Sequence, residues 1–319
     1  MDYSLTYKTK KIFWLPIKLS IVIGCGYFIY SKLVENQEFF FIDFYEKISK
    51  KGVFSTKKII LISFLSFFNW FLEILKWQKL ASFCKKTNFK EAAIQSLASL
   101  TVSLITPNRI GEYGAKALYF EKYLRIKIIG LNVIGNFYQL MATLFFGIIG
   151  FTYFVIQQQI TVHLNRVFEY FIIIFFVVSF LFLGIKYVDF KISYVRKSRN
   201  FIKKIPLKLT LKVISFSFIR FLIFSHQFYF LLVFFHPDIL YLEAISSISA
   251  VYLIASITPF LSVFDFVLKG SIAIWIFSFF NINPPTIVLI TTLMWVLNFV
   301  IPAIIGSYFV ITFKPNFIK

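Results

Sequence analysis

Between Ile128 and Ile156 the chain carries no charged residue, and Thr286–Phe313 carries none either. Val213–Phe235 holds one Arg and one His. A helix needs about 20 apolar residues to cross a ~30 Å hydrocarbon core. In lipid the backbone must satisfy its own hydrogen bonds, which leaves helices and closed barrels. A barrel would alternate apolar and polar positions in segments of about ten residues; these runs are unbroken. Composition agrees: 59% of the 319 residues are hydrophobic and 15% charged, against about 25% charged in soluble domains, and the mean hydropathy is +0.79. The expected fold class is all-α, a polytopic helical membrane protein forming one integral membrane domain over 1–319.

Lys and Arg number 34 against 14 Asp and Glu, a net charge of +20. In a soluble chain that excess would suggest nucleic acid. No recognition motif accompanies it here, and the basic residues gather in loops, where they set topology and meet anionic lipid headgroups. Nucleic acid is therefore not an expected partner. Cys25 and Cys84 form no CxxC, and His163, His226 and His236 form no HExxH, so no metal or cofactor is expected. No nucleophile triad, phosphate loop or dinucleotide fingerprint is present, so no enzyme is expected.

Two stretches depart from the apolar pattern. In Leu100–Phe120 the break Pro107-Asn108-Arg109 is followed by Gly111, Glu112, Gly114 and Lys116. In Ser256–Gly270, Pro259 answers Pro107, and Asp265 and Lys269 repeat the acid-then-base spacing of four. That spacing lets the two charges pair on a helix. Charges, Pro and Gly inside an apolar block are costly in lipid unless they serve a site. The apolar segments around the first break are too short to cross, so it reads as a re-entrant or paired-helix hairpin, and the second stretch reads as its counterpart. Glu112/Lys116 and Asp265/Lys269 are the candidate substrate-binding pairs. Arg109 either snorkels to headgroups or meets a phosphate with its guanidinium fork. Arg220, in its span, needs a partner, and Gln139 is a polar residue of the preceding span. Asn69 and Glu73 lie near the end of the Ile59–Trp77 run and read as interfacial. Lys76 opens a basic run to Lys90 that reads as cytoplasmic.

Counting Lys and Arg in the loops places both termini in the cytoplasm. The strongest signal is the basic stretch 189–212. About six full spans are expected: Ile12–Leu33, Ile59–Trp77, Ile128–Ile156, Val167–Tyr187, Val213–Phe235 and Thr286–Phe313. The first hairpin then opens from the cytoplasm and the second from outside. Repeats at 59–156 and 213–313 would form an inverted-topology pair, a design of many transporters.

At the first hairpin SLITPNRIGEYGAKALYF resembles the signature of the lysylphosphatidylglycerol synthase transmembrane-region family, also called the flippase-like domain family. Its Pro-x-Arg-x-Gly-Glu motif falls on Pro107, Arg109, Gly111 and Glu112. LEILKWQKLA around Trp77 is similar to a basic-Trp element ending the family's second helix, and NFYQLMATLFFG to the Gln-containing start of its next span. Pro259, Asp265, Lys269 and Gly270 match the second hairpin in kind, with Asp for the commoner Glu and Lys for the commoner Arg. The resemblance implies a bacterial inner-membrane protein that binds or translocates phospholipid or lipid-linked headgroups through a polar groove. The aminoacyl-transfer domain of bifunctional members does not follow here, so lysyl transfer by this chain is not expected. The alternatives are a subunit of a lipid-modifying membrane enzyme and an assembly scaffold without transport.

Overall fold

The computed structural model describes residues 55–104, 106, 109–160, 201, 203–257 and 262–314, with residue 23; for 257 and 262–268 it describes the backbone only. Its regular elements are all helical. In order they are α1 Thr56–Ala81, α2 Phe89–Leu104, α3 Ile110–Leu118, α4 Arg125–Gln157, α5 Leu207–Phe235, α6 Tyr241–Ile257, α7 Ser262–Ser278, α8 Pro284–Trp295, a π-turn Val296–Val300, and α9 Ile301–Thr312. Four helices are long and apolar enough to cross a membrane: α1, α4, α5 and the continuous Pro284–Thr312. The expected spans Ile12–Leu33 and Val167–Tyr187 lie outside the described residues, as do Pro107, Pro259 and most of 189–212. Residues 207–212 already belong to α5. Pro206, extended at the N-cap, supplies the fixed φ and missing N–H that suit a helix start.

The first hairpin is built of short helices, as expected, α2 with 16 residues and α3 with nine; in the second, α6 and α7 have 17 each. They enter the bundle from opposite ends. One hydrophobic core holds Leu80 and Ala81 from the end of α1, Ala92 from the start of α2, Ala117 from the end of α3, and Phe120 and Leu124 beyond it. The other holds Leu232, Ile239 and Ala244, Phe277 from the end of α7, and Ile282 and Ile287. Both ends of the first hairpin thus sit at one pole, and both ends of the second at the other.

Contacts between the halves are reciprocal. α1 packs on α5, α2 packs along α9, and α6 packs along α4. The last two contacts use the same device. Gly306 lets α9 lie against the Leu97 carbonyl and Thr101 of α2, leaving no room for a Cβ. Gly147 does so against Leu253 of α6, where a Cβ would come within 2.7 Å of that side chain, and Gly150 against Ser246 and Ser249. Small residues permit such close backbone approach in lipid. The Thr101 hydroxyl adds a hydrogen bond to the Ala303 carbonyl at 2.9 Å. Leu97 and Thr101 lie ten and six residues before Pro107; Ser249 and Leu253 lie ten and six before Pro259.

The π-turn has a local cause. Pro302 has no N–H, so the carbonyl of Asn298 loses its usual helical partner. Trp70 Nε1 donates to that carbonyl instead, at 3.0 Å. Ser66 Oγ donates to the neighbouring Leu297 carbonyl at 2.8 Å.

Candidate functional site

Each of the four spans carries a polar side chain at its centre: Asn69 in α1, Gln139 in α4, Arg220 in α5 and Asn298 in the π-turn. These side chains meet between the two cores. Arg220 donates to Asn69 Oδ1 and Gln139 Oε1, each at 3.1 Å, and pairs with Glu73. Asn298 accepts from Asn69 at 3.2 Å and donates to Gln227 at 2.9 Å. Arg220 thus has the partners that its position in the span demanded.

Glu73 and Lys76 differ from their sequence reading. They are buried, not interfacial or part of a cytoplasmic run. Lys76 Nζ lies 2.7 Å from Glu73, one turn away on α1. The reason is helix length: α1 continues to Ala81, so Glu73 falls about one turn past its centre. Lys76 was masked in the sequence by the basic residues that follow it.

The first hairpin completes the cluster. Lys116 Nζ lies 2.8 Å from Glu112 and 2.9 Å from Asn132 Oδ1, the expected four-residue pair. It also sits 4.4 Å above the Trp77 ring, a cation–π arrangement, and 3.9 Å from Glu73. Arg109 reaches Glu112 at 3.2 Å. The chain turns tightly at this point. Arg109 has a left-handed φ of 56°, unusual for a residue with a side chain and a conformation that gathers at functional sites. Gly111 N–H donates to Thr106 Oγ1 at 2.9 Å, and a Cβ on Gly111 would meet that oxygen at 2.7 Å. The glycine lets α3 start directly against the end of α2.

These groups line a cavity of about 280 Å3. Lys269 of α7 lines it too, so a basic residue from each hairpin reaches the same space. The side chain of Asp265 lies outside the described residues. Five cations (Lys76, Arg109, Lys116, Arg220, Lys269) face two carboxylates, Glu73 and Glu112. The Ser96 hydroxyl, buried in the wall, has no hydrogen-bond partner among the described residues. Beside this chamber is an apolar recess of about 60 Å3 walled by Phe224, Phe228, Tyr252, Met294, Trp295 and Phe299. Arg109 and Lys269 border both spaces.

Among the sequence candidates, Arg109, Glu112, Lys116, Gln139, Arg220 and Lys269 are brought together, with Gly111 supporting them. Glu73, Lys76, Ser96 and Asn298 were not among the site candidates. A usable signal for Glu73 and Asn298 was a polar or charged residue at or near the middle of a long apolar run. No group of three or more potential metal ligands occurs among the described residues. Comparisons with family models, with curated proteins and with solved structures gave no match, so what this site does rests on its own chemistry.

Proposed function

We propose that the chain is a flippase-like membrane protein. It binds, and carries across, the anionic headgroup of a phospholipid or lipid-linked compound. The observation that carries this reading is the cavity: charged groups from both hairpins and from α1 and α5 gather around it, beside the polar side chains at the span centres, and an aromatic recess borders it. Charge gathered within a membrane bundle is expensive and marks sites that handle charged cargo. The guanidinium of Arg109, at the turn of the first hairpin, suits phosphate. Lys116 is held on four sides and acts as a strut beneath it.

The hairpins' entry from opposite poles and the reciprocal α2–α9 and α6–α4 packing support an inverted repeat. In this reading two rocking halves expose the cavity alternately. The first hairpin opens toward the cytoplasm of a bacterial inner membrane. The family resemblance of Pro107, Arg109, Gly111 and Glu112 points the same way. A scaffold without transport would have no use for an open, charge-lined space.

The test is headgroup translocation in proteoliposomes, comparing the wild type with Glu112→Ala, Asp265→Ala and Arg109→Ala. We expect at least a tenfold lower rate in each variant. Equal rates in all four proteins would sink the transport reading.

A further inference from the structure

Arg220 and Tyr252 each bring to the cavity a polar group that the described residues do not use. Arg220 Nε donates to Asn69, and Nη1 donates to Glu73 and Gln139. Partners on α1 and α4 thus fix the plane of the guanidinium. Nη2 makes no hydrogen bond to a described residue, and the packing does not seal it off. The Arg220 side chain keeps 17% of its surface accessible, against 1% for Lys116, and it lines the chamber. Tyr252 of α6 lines both the chamber and the recess. Its ring packs against Phe221, Phe224 and Phe228 of α5, at centroid distances of 6.2, 5.2 and 6.4 Å. Phe221 and Phe224 follow Arg220 by one residue and by one turn, so the ring lies on the stretch of α5 that carries the guanidinium. The Tyr252 hydroxyl also has no hydrogen bond to a described residue and is not sealed off, although a tyrosine inside a fold usually finds its hydroxyl a partner.

Given the lipid-headgroup reading above, we infer that Arg220 and Tyr252 form an inner subsite of the cavity, where Nη2 and the phenolic hydroxyl donate to an anionic phosphate oxygen of the cargo. An arginine only donates and a phenol can donate, so the group that satisfies both is an acceptor. A charged donor favours an anionic one. With Nε and Nη1 taken, neither two-pronged edge of the guanidinium is open, and the cargo meets it through one nitrogen. The bonds that hold the guanidinium and the rings that hold Tyr252 leave little to order on binding, which favours affinity. Tyr252 and Phe224 border both spaces, so a phosphate held here sends its lipid chain toward the recess. Arg220 is then a contact of the cargo as well as the tie between α5 and its neighbours.

The experiment measures binding to the purified full chain in detergent. The probes are short-chain phosphatidylglycerol, diacylglycerol of the same chain length, which lacks the phosphate, and glycerol phosphate, which lacks the chains. Phosphatidylglycerol should bind about tenfold tighter than diacylglycerol, the scale of a hydrogen bond to a charged group. Tyr252→Phe and Arg220→Lys should each reduce that preference severalfold and leave diacylglycerol binding unchanged. Without ligand, Tyr252→Phe should keep the wild-type unfolding temperature, because its hydroxyl has no bond to lose; a clear drop would mean that the hydroxyl holds the fold and would overturn the subsite. Should Arg220→Lys fail to fold, Tyr252→Phe carries the test alone. Weak glycerol phosphate binding beside tight phosphatidylglycerol binding would identify the lipid as the source of the phosphate. An unchanged preference in Tyr252→Phe would overturn the subsite while leaving a lipid-headgroup site standing. Tight glycerol phosphate binding with no binding of either lipid would overturn the lipid reading as well.

Discussion

At the scale of single residues, Glu73 is the keystone of the buried charges. It pairs with Lys76 and Arg220 and lies 3.9 Å from Lys116. Removing one partner of a buried pair leaves the other uncompensated and costs about 3–5 kcal/mol. Glu73→Gln should therefore lower the unfolding temperature in detergent sharply. Glu73→Gln combined with Lys76→Met should recover part of the loss, because coupled charges are not additive. An unchanged melting curve for the single variant would contradict this. At the rim, Lys85 donates to Glu121 at 2.7 Å. That hydrogen bond holds the Glu121 carboxyl below the usual range and lifts the Lys85 ammonium. A depressed carboxyl stabilises in full above its ordinary pKa of about 4.3 and loses that contribution as pH falls through the lowered value. Protection against hydrogen exchange in residues 82–88, relative to the intrinsic rate at each pH, should accordingly fall on acidification below pH 4, and Glu121→Gln should abolish that acid step. The Glu112–Lys116 pair was legible because a four-residue spacing is local. Glu73 as the partner of Arg220 was not, since those residues are 147 positions apart and nothing local couples them.

At the scale of elements, the helices followed the sequence closely because lipid leaves them little freedom. Val213–Phe235 became Leu207–Phe235, and Ile128–Ile156 became Arg125–Gln157. The π-turn was not legible: Asn298 and Pro302 mark a break, but only Trp70 and Ser66 determine how the freed carbonyls are satisfied. The glycine contacts carry the element-scale prediction. A Cβ at position 306 would collide with the Leu97 carbonyl, and one at 150 would come within 2.9 Å of the Ser246 carbonyl. Backbone cannot step aside as a flexible side chain can. Gly306→Ala and Gly150→Ala should each destabilise by about 1–3 kcal/mol, measured by thermal unfolding in detergent. Gly114→Ala, where a Cβ meets nothing, should be neutral or slightly stabilising. If all three behave alike, the close-packed seams between the halves are not what holds them together.

At the scale of the whole molecule, the Lys and Arg of the loops give the expectation that the hairpins open on opposite sides of the membrane. The packing of each half against the far span of the other was not legible, because charge counts say which side a loop lies on and nothing about neighbours. The inverted arrangement predicts that exposed Tyr123 and Leu240 lie on opposite sides of the membrane. In a background with Cys25 and Cys84 replaced by Ser, Tyr123→Cys and Leu240→Cys should differ in reaction with an impermeant maleimide on intact cells. Leu240→Cys should label and Tyr123→Cys should not; labelling of both would exclude the arrangement. The α2–α9 seam also sets an order of events during biosynthesis. Thr101 and its acceptor Ala303 are 202 residues apart. At 5–20 residues per second, α2 waits roughly 10–40 s for the surface it will lie against. Throughout that interval the Thr101 hydroxyl lacks its acceptor on α9. A ribosome that stops before Ile301 leaves α2 without the helix it packs along.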